Sequence, residues 1–221
     1  VVQINVLVDN LIAFSIALGD PEGSANTYLY LGNRLMQLPL GVFGIAVATT
    51  SFPYLARHVA SGDREELFGH LAASVRMVVF IILPAAVGLA VMADPLVRMI
   101  YQEPDLVFSD SAVYRTSAAL TCYAGGLVFF SLQHLLTRLY YAHQDYRTPV
   151  RIACWMVAVN LGLNLLLIHG PDLYRRWTQT VIPGIAPDAP LREAGLALAT
   201  TLTAVIHTAL LWRAYRLRHI Q

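Results

Sequence analysis

A permanent cation stands alone in the apolar run "YLYLGNRLMQLPLGVFG" (28–44): Arg34, whose planar fork of donors suits bidentate binding of a phosphate in a water-filled cavity. Elsewhere polar groups recur one helical turn apart within greasy surroundings. Asn5 and Asp9 place an amide and a carboxylate on one helix face, Asn160 and Asn164 do the same with two amides in "VNLGLNLLL", and Thr200, Thr203 and His207 share a face of "ATTLTAVIHTALL". Asp9, Asn160, Asn164 and Thr200 are oxygen donors of the kind a hard cation takes, so one set suits an anionic substrate and the other a coupling ion. Two plainer readings stand beside these. Asn and Thr side chains often serve only as interhelical hydrogen-bond glue, and Asp9, at a depth similar to that of Arg34 on an adjacent antiparallel helix, is placed to neutralise it. The residues of enzymes are missing: there is no activated nucleophile, HExxH or phosphate-cradling glycine loop.

These polar residues need elements to hold them, and the composition says in which solvent. Of 221 residues 57% are hydrophobic and 13% charged, with a mean hydropathy of +0.55, against about a quarter charged in an ordinary soluble domain. Lipid is the matching solvent, and a hydrocarbon core of ~30 Å takes ~20 apolar residues per helical crossing. Runs bounded by Gly, Pro and charge predict an all-α polytopic membrane protein with six spans, at 2–19, 26–58, 66–93, 109–143, 147–169 and 191–216. The second and fourth are long enough to extend past the bilayer. Pro39 removes a helical hydrogen bond five residues after Arg34, and Gly41 and Gly44 follow, so a bend or hinge is expected there.

"DPLVRMIY" (94–101) reads as a short interfacial helix with Leu96, Val97, Met99 and Ile100 dipping among headgroups. Cys122 and Cys154 lie singly in apolar runs and read as core thiols, and no His, Cys or acid cluster has transition-metal spacing. A net charge of +1 offers no nucleic-acid surface. All fifteen basic residues are arginine. Nine of them (57, 64, 76, 138, 147, 151, 213, 216, 218) fall on the side of the N-terminus and five (98, 115, 175, 176, 192) on the other, which predicts both ends of the segment to be cytoplasmic. The opening "VVQINVLVDNLIAF" has neither an initiator Met nor a signal-peptide pattern, as expected for a piece of a longer chain.

The stretches "QINVLVDNLIAFSI" (3–16), "YLYLGNRLMQLPLGVFGIAVATTSFPYLARH" (28–58), "RLYYAHQDYRTPVRIA" (138–153) and "AGLALATTL" (194–202) resemble the MurJ (MviN) lipid II flippases of the MOP exporter superfamily. The resemblance implies the C-terminal six-helix lobe of a two-lobe transporter in a bacterial inner membrane, with an N-terminal lobe as its partner. It implies alternating-access flipping of a lipid-linked peptidoglycan precursor for cell-wall biogenesis and cell shape. The family's cavity arginine, in a Tyr-Ala-(Asn/Asp)-Arg-Leu motif, falls on Arg34, with Gly32 in place of the alanine. The sodium site described for the family falls on Asp9, Asn160, Asn164 and Thr200. Position 164 is Asn where the pattern can carry an acid, which weakens the expected cation affinity. The connector "GPDLYRRWTQTVIPGIAPDAPLRE" (170–193) looks like an insertion. The runner-up functions are an exporter of another polyprenyl-linked oligosaccharide, a drug/cation antiporter, and a membrane scaffold that transports nothing.

Overall fold

A computed structural model describes residues 25–102, 108–169 and 192–219. The predicted first span, with Asn5 and Asp9, and nearly all of the 170–193 connector lie outside the described residues. Within them the chain is helical and without strands. The helices are α1 (Ala25–Pro39), α2 (Ala46–Ser61), α3 (Arg64–Val91), the short α4 (Ala93–Tyr101), α5 (Asp110–Ala142), α6 (Arg147–His169) and α7 (Arg192–His219). A π-helical turn, Leu40–Ile45, joins α1 to α2 without a break. Five of the described helical stretches are long and apolar enough to cross a membrane: Asn26–Ser61, Arg64–Val91, Asp110–Ala142, Arg147–Leu166 and Ala194–His219.

Local chemistry sets several boundaries. Gly62, at φ +73°, ends α2 in the left-handed conformation that costs glycine least, and Asp63 opens α3 by accepting from the Glu66 N–H at 3.1 Å. Ser109 caps α5 through the Ala112 N–H. Asp145 accepts from the Thr148 N–H at 3.0 Å, starting α6.

The bundle is organised around α5, which packs against every other described helix, most extensively α7. Those two run parallel, as shown by hydrogen bonds from Thr201 to the Cys122 carbonyl (2.8 Å) and from Thr208 to that of Phe129 (3.1 Å), and from Tyr140 to that of Leu211 (2.8 Å). Close approach is possible because position 126 is glycine: a Cβ there would stand 2.9 Å from Thr201 Oγ1. A buried Ser51–Ser74 hydrogen bond of 2.9 Å ties α2 to α3. The ends of α2, α5 and α7 and the start of α3 meet at one end of the bundle around a cavity of about 210 Å³.

Two sequence expectations are corrected by the packing. Val97 is fully buried and packs into the core instead of dipping outward; Met99 and Ile100 are the exposed apolar residues of α4. Spacing alone could not make that choice, because an interfacial helix has an apolar face whichever way it turns. Cys122 is a core thiol, but Cys154 is exposed on α6 beside the exposed Trp155. In a lipid-facing protein an apolar neighbourhood does not imply the interior.

Candidate functional site

Arg34 occupies the outward face of α1, with its Nη1 donating to the Tyr30 hydroxyl at 3.2 Å. That i, i+4 contact fixes one side of the guanidinium and leaves the rest of the fork open. One turn on, the Gln37 amide donates to Asn33 Oδ1 at 3.0 Å, extending a polar strip along the same helix. Tyr101, at the end of α4, lies near enough to feel the arginine: burial pushes its phenol pKa up, and the Arg34 charge opposes that. Among the described residues no carboxylate pairs with Arg34. The three ion pairs recorded there are Arg98–Asp94 (2.8 Å), Arg98–Asp110 (2.6 Å) and Arg218–Asp145 (2.8 Å).

A lone guanidinium on an outward polar face can take an oxyanion in two parallel hydrogen bonds. Tyr30 and Tyr101 were not singled out by sequence reasoning. The i, i+4 spacing of Tyr30 and Arg34 was a readable signal for the first, whereas Tyr101 arrives from a separate helix.

The second candidate set divides by location. Asn160 and Asn164 are both fully buried on α6, where Asn164 Nδ2 donates to Asn160 Oδ1 at 3.0 Å. Asn160 Nδ2 points to Thr203 Oγ1 of α7 at 3.4 Å, so Thr203 is the residue the fold sets against the amide pair. Thr200, one turn earlier on α7, donates to the Leu196 carbonyl at 3.0 Å and is level with Asn164 in this antiparallel pairing. Asp9 is outside the described residues. His207 is buried on the face of Thr200 and Thr203, and His134 is exposed. Among the described residues no group of three His, Cys, Asp or Glu side chains is arranged to hold a metal.

Where a bend or hinge is expected, the backbone forms the π-helical turn Leu40–Ile45. Pro39 has no N–H for the helical bond, and the backbone continues with wider i to i+5 bonds. Its two glycines differ. A Cβ on Gly41 would meet nothing within 4 Å, but one on Gly44 would stand 2.4 Å from Ser131 Oγ of α5.

The family model for "Lipid II flippase MurJ" matches residues 1–220. The chain is 32% identical over 217 residues to a probable lipid II flippase MurJ of Haemophilus influenzae, covering 96% of this chain and 37% of that protein. It is 31% identical over 218 residues to the Vibrio cholerae protein of the same description, covering 99% and 36%. The chain therefore spans a little over a third of the length of these relatives. A solved structure of lipid II flippase MurJ in an inward closed conformation superposes with a TM-score of 0.71 at 22% identity, over 96% of this chain and 40% of that one, so the helical arrangement is shared. This chain, whose described residues form a bundle of helices of membrane-crossing length with Arg34 on an outward face, is matched by the family model along nearly its whole length and belongs to the MurJ lipid II flippase family.

Proposed function

We propose that this segment is one lobe of a bacterial inner-membrane transporter that flips lipid II, or a closely similar polyprenyl-diphosphate lipid, by alternating access. A disaccharide-pentapeptide headgroup cannot cross hydrocarbon unaided, so two lobes must enclose a polar cavity that opens to each side in turn. The observation that carries this reading is the outward placement of Arg34, an intramembrane cation with a tyrosine at its side and no acid against it among the described residues. Burying that charge facing lipid would be costly, and facing a hydrated cavity shared with the N-terminal lobe it is not. Arg34 holds the substrate diphosphate. The arginine-rich end of the bundle faces the cytoplasm.

Asn160, Asn164 and Thr200, with Asp9, form the sodium site in this proposal. The buried amide pair against α7 supports it, since oxygen atoms are gathered there between two helices. Pro39, Gly41 and Gly44 form the flexible segment, supported by the π turn they occupy. The reading is tested by transport of labelled lipid II in vesicles containing the full-length protein. Arg34→Ala should abolish flipping with the protein still folded, and a normal rate in that variant would overturn the assignment.

A further inference from the structure

Arg57 lies 23 residues after Arg34 on the same continuous helix, Asn26–Ser61. In an unbroken α-helix, 3.6 residues per turn would set the two side chains ~140° apart, on different faces. The π turn at Leu40–Ile45 absorbs about one extra residue, which turns everything beyond it back by ~100° and brings the offset to ~40°. Burial bears this out with a second pair at the same spacing. Gly32, whose Cβ would stand 3.3 Å from the Leu120 backbone nitrogen, and Leu55, buried against Leu135, Leu139 and Tyr140, are also 23 residues apart and both face α5. Arg34 and Arg57, each two residues beyond one of these, are both exposed on the other side.

The rise between the arginines is ~34 Å at 1.5 Å per residue, more than the ~30 Å hydrocarbon thickness, so with Arg34 inside the span Arg57 stands at the arginine-rich boundary of the membrane. The exposed residues between them carry no charge: Gln37, Gly41, Ala46, Thr49 and Pro53 are polar or small, and Leu38, Val42, Phe43, Ile45 and Tyr54 are large and mostly apolar. The nearby Arg138 is engaged over the Phe52 ring at 5.9 Å. Arg57 has no ion pair or hydrogen bond with the described residues.

We infer that Arg57 is a second phosphate-binding position, which receives the diphosphate of the lipid substrate at the arginine-rich boundary and is aligned with Arg34 by the π turn. This rests on the transporter reading above. The ligand chemistry is a lipid-borne diphosphate, which lies at one membrane boundary before transport and at the other after it. One helix face then offers a cation at the arginine-rich boundary and another within the span, with no charged residue exposed between them to hold the phosphate midway.

The test is the initial rate of lipid II flipping by the full-length protein as a function of lipid II density, with substrate supplied on the arginine-rich side. Arg57→Ala, with Arg57→Gln beside it as a milder truncation, should raise the half-saturating density tenfold or more with thermal stability unchanged. Arg57→Lys should recover most of the loss. Unchanged half-saturation in both truncations, alongside a defective Arg34→Ala, would overturn this inference alone. A fall in maximal rate without a shift in half-saturation would assign Arg57 to anchoring the helix and overturn it equally. An unimpaired Arg34→Ala would instead remove the transporter assignment beneath it.

Discussion

Gly41 and Gly44 lie three residues apart in one π-helical turn, and the same substitution should act on them with opposite sign. Replacing glycine by alanine inside a helix gains up to about 1 kcal/mol from backbone entropy. At Gly41 nothing within 4 Å opposes the new methyl, so Gly41→Ala should leave the protein as stable or up to about that much more stable. At Gly44 the methyl would lie 2.4 Å from Ser131 Oγ, 3.0 Å from Ser131 Cβ and 3.2 Å from Leu40 Cδ1. Ser131 is fully buried and its hydroxyl donates to the Leu127 carbonyl at 2.9 Å, so turning it away breaks a buried hydrogen bond worth about 1 kcal/mol.

Overpacking of this kind costs roughly 1–3 kcal/mol, which offsets or outweighs the entropic gain and leaves Gly44→Ala up to about 2 kcal/mol less stable. The measurement is thermal unfolding of the purified full-length protein in detergent, extended to Ser131→Gly and the double variant. Removing the serine side chain removes two of the three clashes, so the double variant should lose less than the sum of its parts, with a coupling of at least about 0.5 kcal/mol. Gly44→Ala as stable as Gly41→Ala, or strict additivity with Ser131→Gly, would refute the claim that this turn is wedged against α5.

Two further outcomes follow from local chemistry. Burial of the Asp145 carboxyl works to raise its pKa, but hydrogen bonds from the Thr148 hydroxyl and N–H and the Arg218 charge outweigh that and hold it below the usual carboxylate range. A depressed carboxylate stabilises the fold above its unfolded pKa of about 3.9 and loses that contribution as pH falls through the lower folded value. Asp145→Ala should cost roughly 1 kcal/mol of cap energy at neutral pH, and Asp145→Asn should keep most of the cap while flattening the acid limb of a melting-temperature profile. If sodium binds between α6 and α7, Asn164→Asp supplies a buried anionic ligand, so sodium-dependent thermal stabilisation of the full-length protein should begin at lower sodium concentration; an unchanged or weaker response would place the ion elsewhere.

The order and extent of the described helices could be read from the chain because they depend on local quantities. Apolar runs of membrane-crossing length, Gly62 after α2 and Asp63 before α3 act within a turn of where they stand. Arg34, Asn160 and Asn164 also stood out, because polar groups are rare enough in lipid-soluble segments to mark themselves. Direction was harder to read. When the outside is hydrocarbon, hydropathy cannot separate a core-facing residue from a lipid-facing one, so Val97 and Cys154 were both assigned to the wrong side.

The partners of the polar groups depended on helix pairing. Thr203 meets Asn160 because α6 and α7 pack antiparallel, and Tyr101 comes within the field of Arg34 only because α4 and α1 both pack on α5. The sequence by itself placed Arg34 and Arg57 in one long apolar span, 26–58. Only the tertiary structure decided that both face the same way. Proline withdraws a backbone hydrogen bond, the following turn widens by a residue, and Gly44 lets that widened turn seat against Ser131, which sets the rotation of everything after it.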